Sequence, residues 1–385
     1  MVWIAVGHLA NDWPVAALWL IIPAAGVAMD LSPAEVGLLF TIFSVGSAFA
    51  FLPSGLLADT TKKRGGLLVG TFAWVVVGFA LATLATEFWV LALLLAIAGM
   101  GNAAWHPIAT GMVAQIDPPN RARGLGIHAL GGSLAEVLAP LCAGMLLAFV
   151  SWQEALLLSI VPALFVGLCF LGVSRSFPDF ETKAADTKAL RTLFISWTSM
   201  EGFRLVALVS CYNAAVVALL SMIPLYLTVE KSLSLATSAV VFSFLLVLGA
   251  MLQPVIGALS DRVGTKPVSV AGNGIAAVAI GCMVLNPGLG VSIALLAFGL
   301  GALDAIRAAV LAMVVDHTKA GESTTLGLAF VLLEGVAAFG ALMAGAAAGV
   351  SWGLMFFLAA SFAAIATFMA ARMPVSCKRT ATRSG

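Results

Sequence analysis

Polar side chains able to bind protons or solutes recur at wide intervals in this chain, each inside a run otherwise apolar enough to sit in lipid. The first run, "GHLANDWPVAALWLIIPAAG" from Gly7 to Gly26, carries His8, Asn11 and Asp12 with Trp13 beside them. Later runs carry Asn102, Trp105 and His106, then His128 and Glu136, Tyr212 and Asn213, Asp304 and Arg307, and finally Glu334. An ionisable group at bilayer depth costs roughly 2.5–3.5 kcal/mol on insertion scales, so such groups face a bundle interior or an aqueous cavity and mark candidate functional sites. On a helix His8, Asn11 and Asp12 stand at i, i+3 and i+4 and project together, as do Asn102 with His106 and Asp304 with Arg307. Carboxylates and imidazoles grouped this way suit uptake and release of protons, and the amides and aromatics suit contact with a small solute. The candidates for proton coupling are Asp12 and Glu136, with His106, His128 and Glu334 as accessories.

Each residue also has a packing reading. Asp12 can bond a neighbouring helix as interhelical glue. Asp304 and Arg307 can neutralise each other on one helix. His106 precedes Pro107, where a carbonyl is freed, and can serve local satisfaction. Trp13, Trp105 and Tyr212 can be core aromatics.

The elements that position these residues follow from composition. The chain has 385 residues, 62% of them hydrophobic and 10% charged, with a mean hydropathy of +1.09, outside the balance of a soluble globular protein. Apolar runs of roughly 20 residues containing Gly and Ala are the pattern of spanning helices, not of alternating barrel strands. Cutting at turn and charge signals gives about twelve helices, near 2–28, 34–58, 65–85, 88–115, 121–148, 152–173, 203–228, 234–258, 267–286, 288–316, 322–348 and 351–373. The fold expected is all-α and membrane-embedded. The connection 174–202, with "RSFPDFETKAADTKALR", divides it into an amino-terminal bundle (1–173) and a carboxy-terminal bundle (203–373), with a tail at 374–385.

The halves repeat. "GLLAD" at Gly55–Asp59 recurs as "GALSD" at Gly257–Asp261, "GMG" at Gly99 as "GLG" at Gly299, and "SW" at Ser151 as Ser351, all at an offset of about 200 residues. Parallel six-helix repeats are a known transporter design, which puts a midplane site between the halves. Asp12, Asn102, Glu136, Asn213, Asp304 and Glu334 all fall near their helix midpoints. Helices 3, 6, 9 and 12 carry no ionisable group at depth. Basic residues fall almost entirely on one face: Lys62, Lys63, Arg64, Arg121, Arg123, Arg175, Lys183, Lys188, Arg191, Arg204, Arg262, Lys266, Lys319, Arg372, Lys378, Arg379 and Arg383, against Lys231 alone on the other. That bias predicts cytoplasmic termini. The first run has polar groups and no basic leader, so it is expected to remain as a helix rather than be removed.

The chain resembles the major facilitator superfamily over nearly its whole length. The loop signature G-x-L-x-D-R-x-G-R-K/R is matched by Gly55, Leu57 and Asp59, and in the second half by Gly257, Leu259, Asp261, Arg262 and Gly264. In the first copy Thr60 replaces the Arg and Lys62 the Gly, with Lys62, Lys63 and Arg64 supplying charge nearby. The resemblance implies that Asp59, Asp261 and Arg262 form a conformational latch. It also implies that helices 1, 4, 7 and 10, helped by 2, 5, 8 and 11, line a central cavity. Within the superfamily, "HLAND" (His8–Asp12), "GMGNAAWHP" (Gly99–Pro107) and "GLGIHALGGSLAEVLAP" (Gly124–Pro140) are similar to fosmidomycin-resistance-type efflux proteins.

No Walker sequence, HExxH or GxSxG is present, so ATP drive and an enzymatic role are not expected. The five cysteines sit singly without metal-ligand spacing, and neither a metal nor a cofactor is expected. A net charge of +1 implies no nucleic-acid partner. The expected partners are a small-molecule substrate, protons and the bilayer of the inner membrane, the chain working as a monomer. The leading reading is a proton-coupled efflux transporter for a small amphipathic or drug-like solute. An importer of a small organic metabolite or anion, using Arg307 for charge recognition, is the first alternative. A non-transporting membrane receptor or assembly partner is the second.

Overall fold

The structure is a computed structural model that describes residues 1–116, 121–182, 195–318, 331, 334–335 and 338–374, and the side chains of all of these except 121–123 and 315–318. The remainder of the 174–202 connection, the tail beyond Pro374, the side chains of Arg121 and Arg123, and Lys319 lie outside this range. The described residues form helices and no strands. The amino-terminal half contains α1 (Val2–Ala28), α2 (Pro33–Thr60), α3 (Gly65–Ala82), α4 (Phe88–Ile116), α5 (Arg121–Leu146) and α6 (Trp152–Ser176). The carboxy-terminal half contains α7 (Met200–Glu230), α8 (Leu235–Val263), α9 (Thr265–Leu285), α10 (Leu289–Val314), α11 (described over Ala338–Val350) and α12 (Trp352–Arg372). Eleven of these are long and apolar enough to span a membrane.

Local sequence sets the starts. Ser32 and Ser151 accept from the amides of Glu35 and Glu154, whose carboxylates return to the serine backbone, so both helices open on a reciprocal cap. Ser234 and Ser351 cap α8 and α12 through the same kind of hydroxyl contact. The repeat seen in the sequence reappears as packing. In the first half α1 lies on α5, α2 on α4 and α3 on α4; in the second α7 lies on α11, α8 on α10 and α9 on α10. Contacts between halves obey the same exchange, since α2 packs along α11 and α5 along α8.

Among the described residues, backbones of the two halves meet at the end opposite the termini. The Thr41 hydroxyl of α2 donates to the Ala338 carbonyl at 2.8 Å and accepts from the Leu342 amide at 3.1 Å, both on α11. Beside it Gly37 and Gly345 let the two backbones meet: a Cβ on Gly37 would overlap the Ala341 carbonyl, and one on Gly345 the Pro33 carbonyl. At the terminus end, Arg204 donates to the Arg372 carbonyl at 3.2 Å and Lys266 to the Met373 carbonyl at 2.6 Å, tying the starts of α7 and α9 to the end of α12.

Asp59 lies 3.8 Å from Arg64 of its own half. Arg64 is 1% exposed, donates to the Glu181 carbonyl at 3.1 Å and covers the Phe180 ring at 5.0 Å. The Phe180 amide in turn donates to the Lys62 carbonyl at 3.0 Å. The charge displaced in the loop motif is therefore used to pin the start of the inter-half connection. Arg64→Ala is expected to speed limited trypsin cleavage in that connection severalfold while leaving helix content unchanged. An unaltered cleavage rate would remove the pinning role. In the second copy Asp261 is exposed at the end of α8, so the two motif carboxylates have different surroundings.

Candidate functional site

Two polar clusters sit at mid-depth. The first joins α1, α4 and α5. Asp12 places Oδ2 3.0 Å from His8 Nε2, and its Oδ1 accepts from Asn102 Nδ2 at 2.8 Å and lies 3.6 Å from His106 Nε2. His8 Nδ1 is 2.8 Å from the His128 carbonyl oxygen, and the two rings stack at 4.1 Å. His8 reaches α5 because Gly132 stands opposite, where a side chain would strike the imidazole. Asn102 and Asn11 exchange bonds with each other's backbone carbonyls at 3.3 and 3.5 Å, which fixes α1 to α4.

The second cluster crosses between halves. Arg307 donates to Glu136 Oε1 at 2.6 Å and to Asp304 Oδ1 at 2.9 Å. Glu136 belongs to α5 and Arg307 to α10, so this ion pair is a direct tie between the bundles. Its two side chains are 37 and 38% exposed at mid-depth, which places them on an open space between the halves, whereas the Asp304 side chain is 6% exposed. α10 is interrupted here, one segment ending at Ala305 and the next starting at Arg307. A discontinuous spanning helix at the midplane is a recurrent way to build a transporter site. The Tyr212 hydroxyl donates to the Leu303 carbonyl at 2.9 Å, just before the break. Glu334 of the eleventh span is exposed and lies within electrostatic reach of Arg307, Glu136 and Asp12.

The sequence-expected residues thus divide. His8, Asn11, Asp12, Asn102, His106 and His128 come together in one cluster, and Glu136, Asp304, Arg307 and Tyr212 in the other. Asn213 is half-buried next to Tyr212. Trp13 is half-buried against the apolar core. Trp105 corrects the expectation of a substrate contact: it is 0% exposed and packs on Phe72 of α3 and Phe170 of α6. Its neighbours Asn102 and His106 stand about 60° and 100° away around the helix, enough to turn the indole toward α3 and α6 while they meet Asp12. Trp105→Ala is expected to lower stability by about 3–5 kcal/mol, read as a fall in melting temperature in detergent, with solute affinity per folded molecule unchanged. Loss of affinity without loss of stability would return Trp105 to the binding site. The Arg307–Glu136 tie and the break at Ile306 have no local signal, since partners on different helices show no spacing and neither Pro nor Gly marks the break. A separate cavity near Tyr226, Met283, Trp352 and Phe356 lies in the carboxy-terminal half, lined by none of these charged residues.

A multi-pass helical bundle whose two similar halves meet around charged groups at mid-depth defines a membrane solute transporter. The family described as Major Facilitator Superfamily matches residues 4–252, more than half of the chain, and the chain belongs to that superfamily. It is therefore a transporter and not an enzyme. A protein of Haemophilus influenzae named as a metabolite transport protein is 28% identical over 281 residues, covering 68% of this chain and 67% of the relative. One of Cupriavidus pinatubonensis named as a probable 4-methylmuconolactone transporter is 29% identical over 277 residues, covering 69% of this chain and 63% of the relative. The matched regions thus span about two thirds of the curated relatives' length. Among solved structures, a bacterial homologue of the human lysosomal transporter Spinster, inward-facing and unoccupied, superposes with a TM-score of 0.79 at 18% identity, covering 97% of this chain and 96% of that one. That likeness is one of fold.

Proposed function

We propose that this chain is a proton-coupled secondary transporter of a small organic anion, worked by rocking of its halves about the midplane site in the bacterial inner membrane with both termini cytoplasmic. The observation that carries the reading is the Glu136–Arg307 tie across the halves, with Asp304 behind it. A solute carboxylate that takes Arg307 displaces Glu136, and the freed carboxylate is the group through which proton and solute binding are linked. Anion and proton then bind together, which is the thermodynamic requirement of symport. Asp12, by contrast, is tied wholly within the amino-terminal half and serves as a wall of the solute space. The basic residues Arg64, Arg204, Lys266 and Arg372 at the terminus end support the orientation.

The second reading is proton-driven efflux of a cationic or amphipathic solute. It is favoured by the excess of carboxylates over the single guanidinium at mid-depth and by the likeness of α1, α4 and α5 to fosmidomycin-resistance-type proteins. In that case the solute uses Glu136 itself and competes with the proton. The deciding experiment loads proteoliposomes with a pH dye and applies a panel of small hydroxy-, keto- and lactone-carboxylates. In parallel, efflux-deficient cells carrying the chain are grown on toxic amphipaths including fosmidomycin. Acid-driven, carboxylate-dependent proton entry supports symport; resistance above empty vector supports efflux. Neither response, with membrane insertion verified, overturns proton-coupled transport.

A further inference from the structure

We propose that His8, His106 and Asp12 form a binding site for a divalent transition-metal ion of the zinc class on the amino-terminal half. Two of the chain's four histidines, His8 of α1 and His106 of α4, converge on this one aspartate, and a third, His128 of α5, stacks on His8. His8 Nε2 and His106 Nε2 lie 3.0 and 3.6 Å from Asp12 carboxylate oxygens, and one ligand atom from each of the three residues lies within 4.8 Å of the others. Around a tetrahedral zinc ion with bonds of about 2.0–2.2 Å, neighbouring ligand atoms stand about 3.3–3.5 Å apart. The present spacings, 3.0 and 3.6 Å to the carboxylate and up to 4.8 Å overall, bracket that range.

Hydrogen bonding makes the site require a cation. The His128 carbonyl can only accept, so His8 Nδ1 carries a proton and donates to it. The neutral ring then points its Nε2 lone pair at a carboxylate oxygen 3.0 Å away, and two lone pairs do not attract. Something positive belongs between them, either a metal ion or a second ring proton. The surroundings favour the metal: a ligating histidine characteristically donates its other N–H to a carbonyl, and a ligating carboxylate is itself held by a donor. His8 has the first through His128, and Asp12 has the second through Asn102 at 2.8 Å. With side-chain exposures of 11, 17 and 22% for His8, Asp12 and His106, the three groups are neither sealed nor at the surface, and a fourth coordination position is left for water or a solute oxygen. The site uses none of the Glu136–Arg307–Asp304 groups, so its test does not depend on the coupling assigned to them.

The test uses the full chain, purified in detergent with any affinity tag removed, titrated with Zn2+ by calorimetry and with Co2+ by visible absorption. The expected result is saturable binding of one Zn2+ per chain and a Co2+ ligand-field band of a low-coordinate nitrogen–oxygen site. His8→Ala and His106→Ala should abolish both, Asn102→Ala should weaken Zn2+ about tenfold, and His317→Ala should leave affinity unchanged. Where a variant fails to fold, judged by gel filtration, the wild-type Co2+ spectrum decides. No saturable Zn2+ binding, no Co2+ band, or binding indifferent to His8 and His106 overturns the proposal, and a wild-type protein that binds no metal while nitrogen NMR shows a doubly protonated His8 assigns the bridging cation as a proton.

Discussion

Glu136→Gln is expected to abolish proton-driven accumulation of solute while leaving exchange of solute across the membrane measurable. The amide keeps the size of the side chain and can still accept from Arg307, but it neither ionises nor carries a proton, so the halves are no longer biased by pH. Arg307→Gln should do more damage, because Arg307 holds two carboxylates, Glu136 at 2.6 Å and Asp304 at 2.9 Å. Removing the cation leaves Asp304, 4% exposed, with an uncompensated charge, the costly half of breaking a buried pair. The exposed Glu136 side of the pair contributes less, because solvent screens it. Arg307→Lys is expected to be intermediate: it keeps the charge and loses the planar fork that serves two acceptors at once. The measurement is initial uptake into proteoliposomes with and without an imposed pH gradient, alongside solute counterflow. Full gradient-driven accumulation by Glu136→Gln would remove Glu136 from coupling, and solute affinity unchanged in Arg307→Gln would remove Arg307 from recognition.

What the sequence discloses depends on whether the information is local. Helix positions, the polar face of α1 and the pair Asp304/Arg307 are set by spacing within one segment, and there the structure follows the reading closely. The expected span 2–28 coincides with Val2–Ala28, whereas 34–58 falls short of Pro33–Thr60, whose start is set by the Ser32 cap rather than by hydropathy. Contacts between segments are different. Nothing near Glu136 announces Arg307, 171 positions away, and nothing around Thr41 announces that its hydroxyl, besides bonding the Gly37 carbonyl of its own helix at 3.0 Å, reaches α11. Trp105 was ambiguous for the same reason. Its neighbours Asn102 and His106 turn toward α1 and Asp12, but at roughly 100° per residue a third position on that helix faces elsewhere, and only the packing of Phe72 and Phe170 says where. The displaced charges after Asp59 could be seen, but their use in pinning Phe180 and Glu181 is a long-range fact.

Gly345→Leu is expected to stop transport by holding open the seam at the end opposite the termini. In an alternating-access protein that seam must close in one state and part in the other, so an obstacle there changes the relative stability of the two states rather than the solute site. At Gly345 the first added carbon already overlaps the Pro33 carbonyl, and Gly37 on the facing helix is equally crowded by the Ala341 carbonyl. A backbone oxygen cannot rotate aside as a side chain does, so α2 and α11 must separate, taking with them the Thr41 bonds to Ala338 and Leu342. Four residues further along the same helix, a Cβ on Gly349 meets nothing within 4 Å, which makes Gly349→Leu the matched control. The measurement pairs solute flux with disulfide formation between cysteines placed at Thr41 and Leu342 in a background without the native cysteines. Gly345→Leu should lose both flux and cross-linking, and Gly349→Leu should keep both. Because Glu136 and Arg307 are untouched, solute affinity should survive in Gly345→Leu, separating a jammed seam from a damaged site. Cross-linking retained at the wild-type rate in Gly345→Leu would mean that α2 and α11 close without needing the glycine, and the seam would then have to be sought where α5 meets α8.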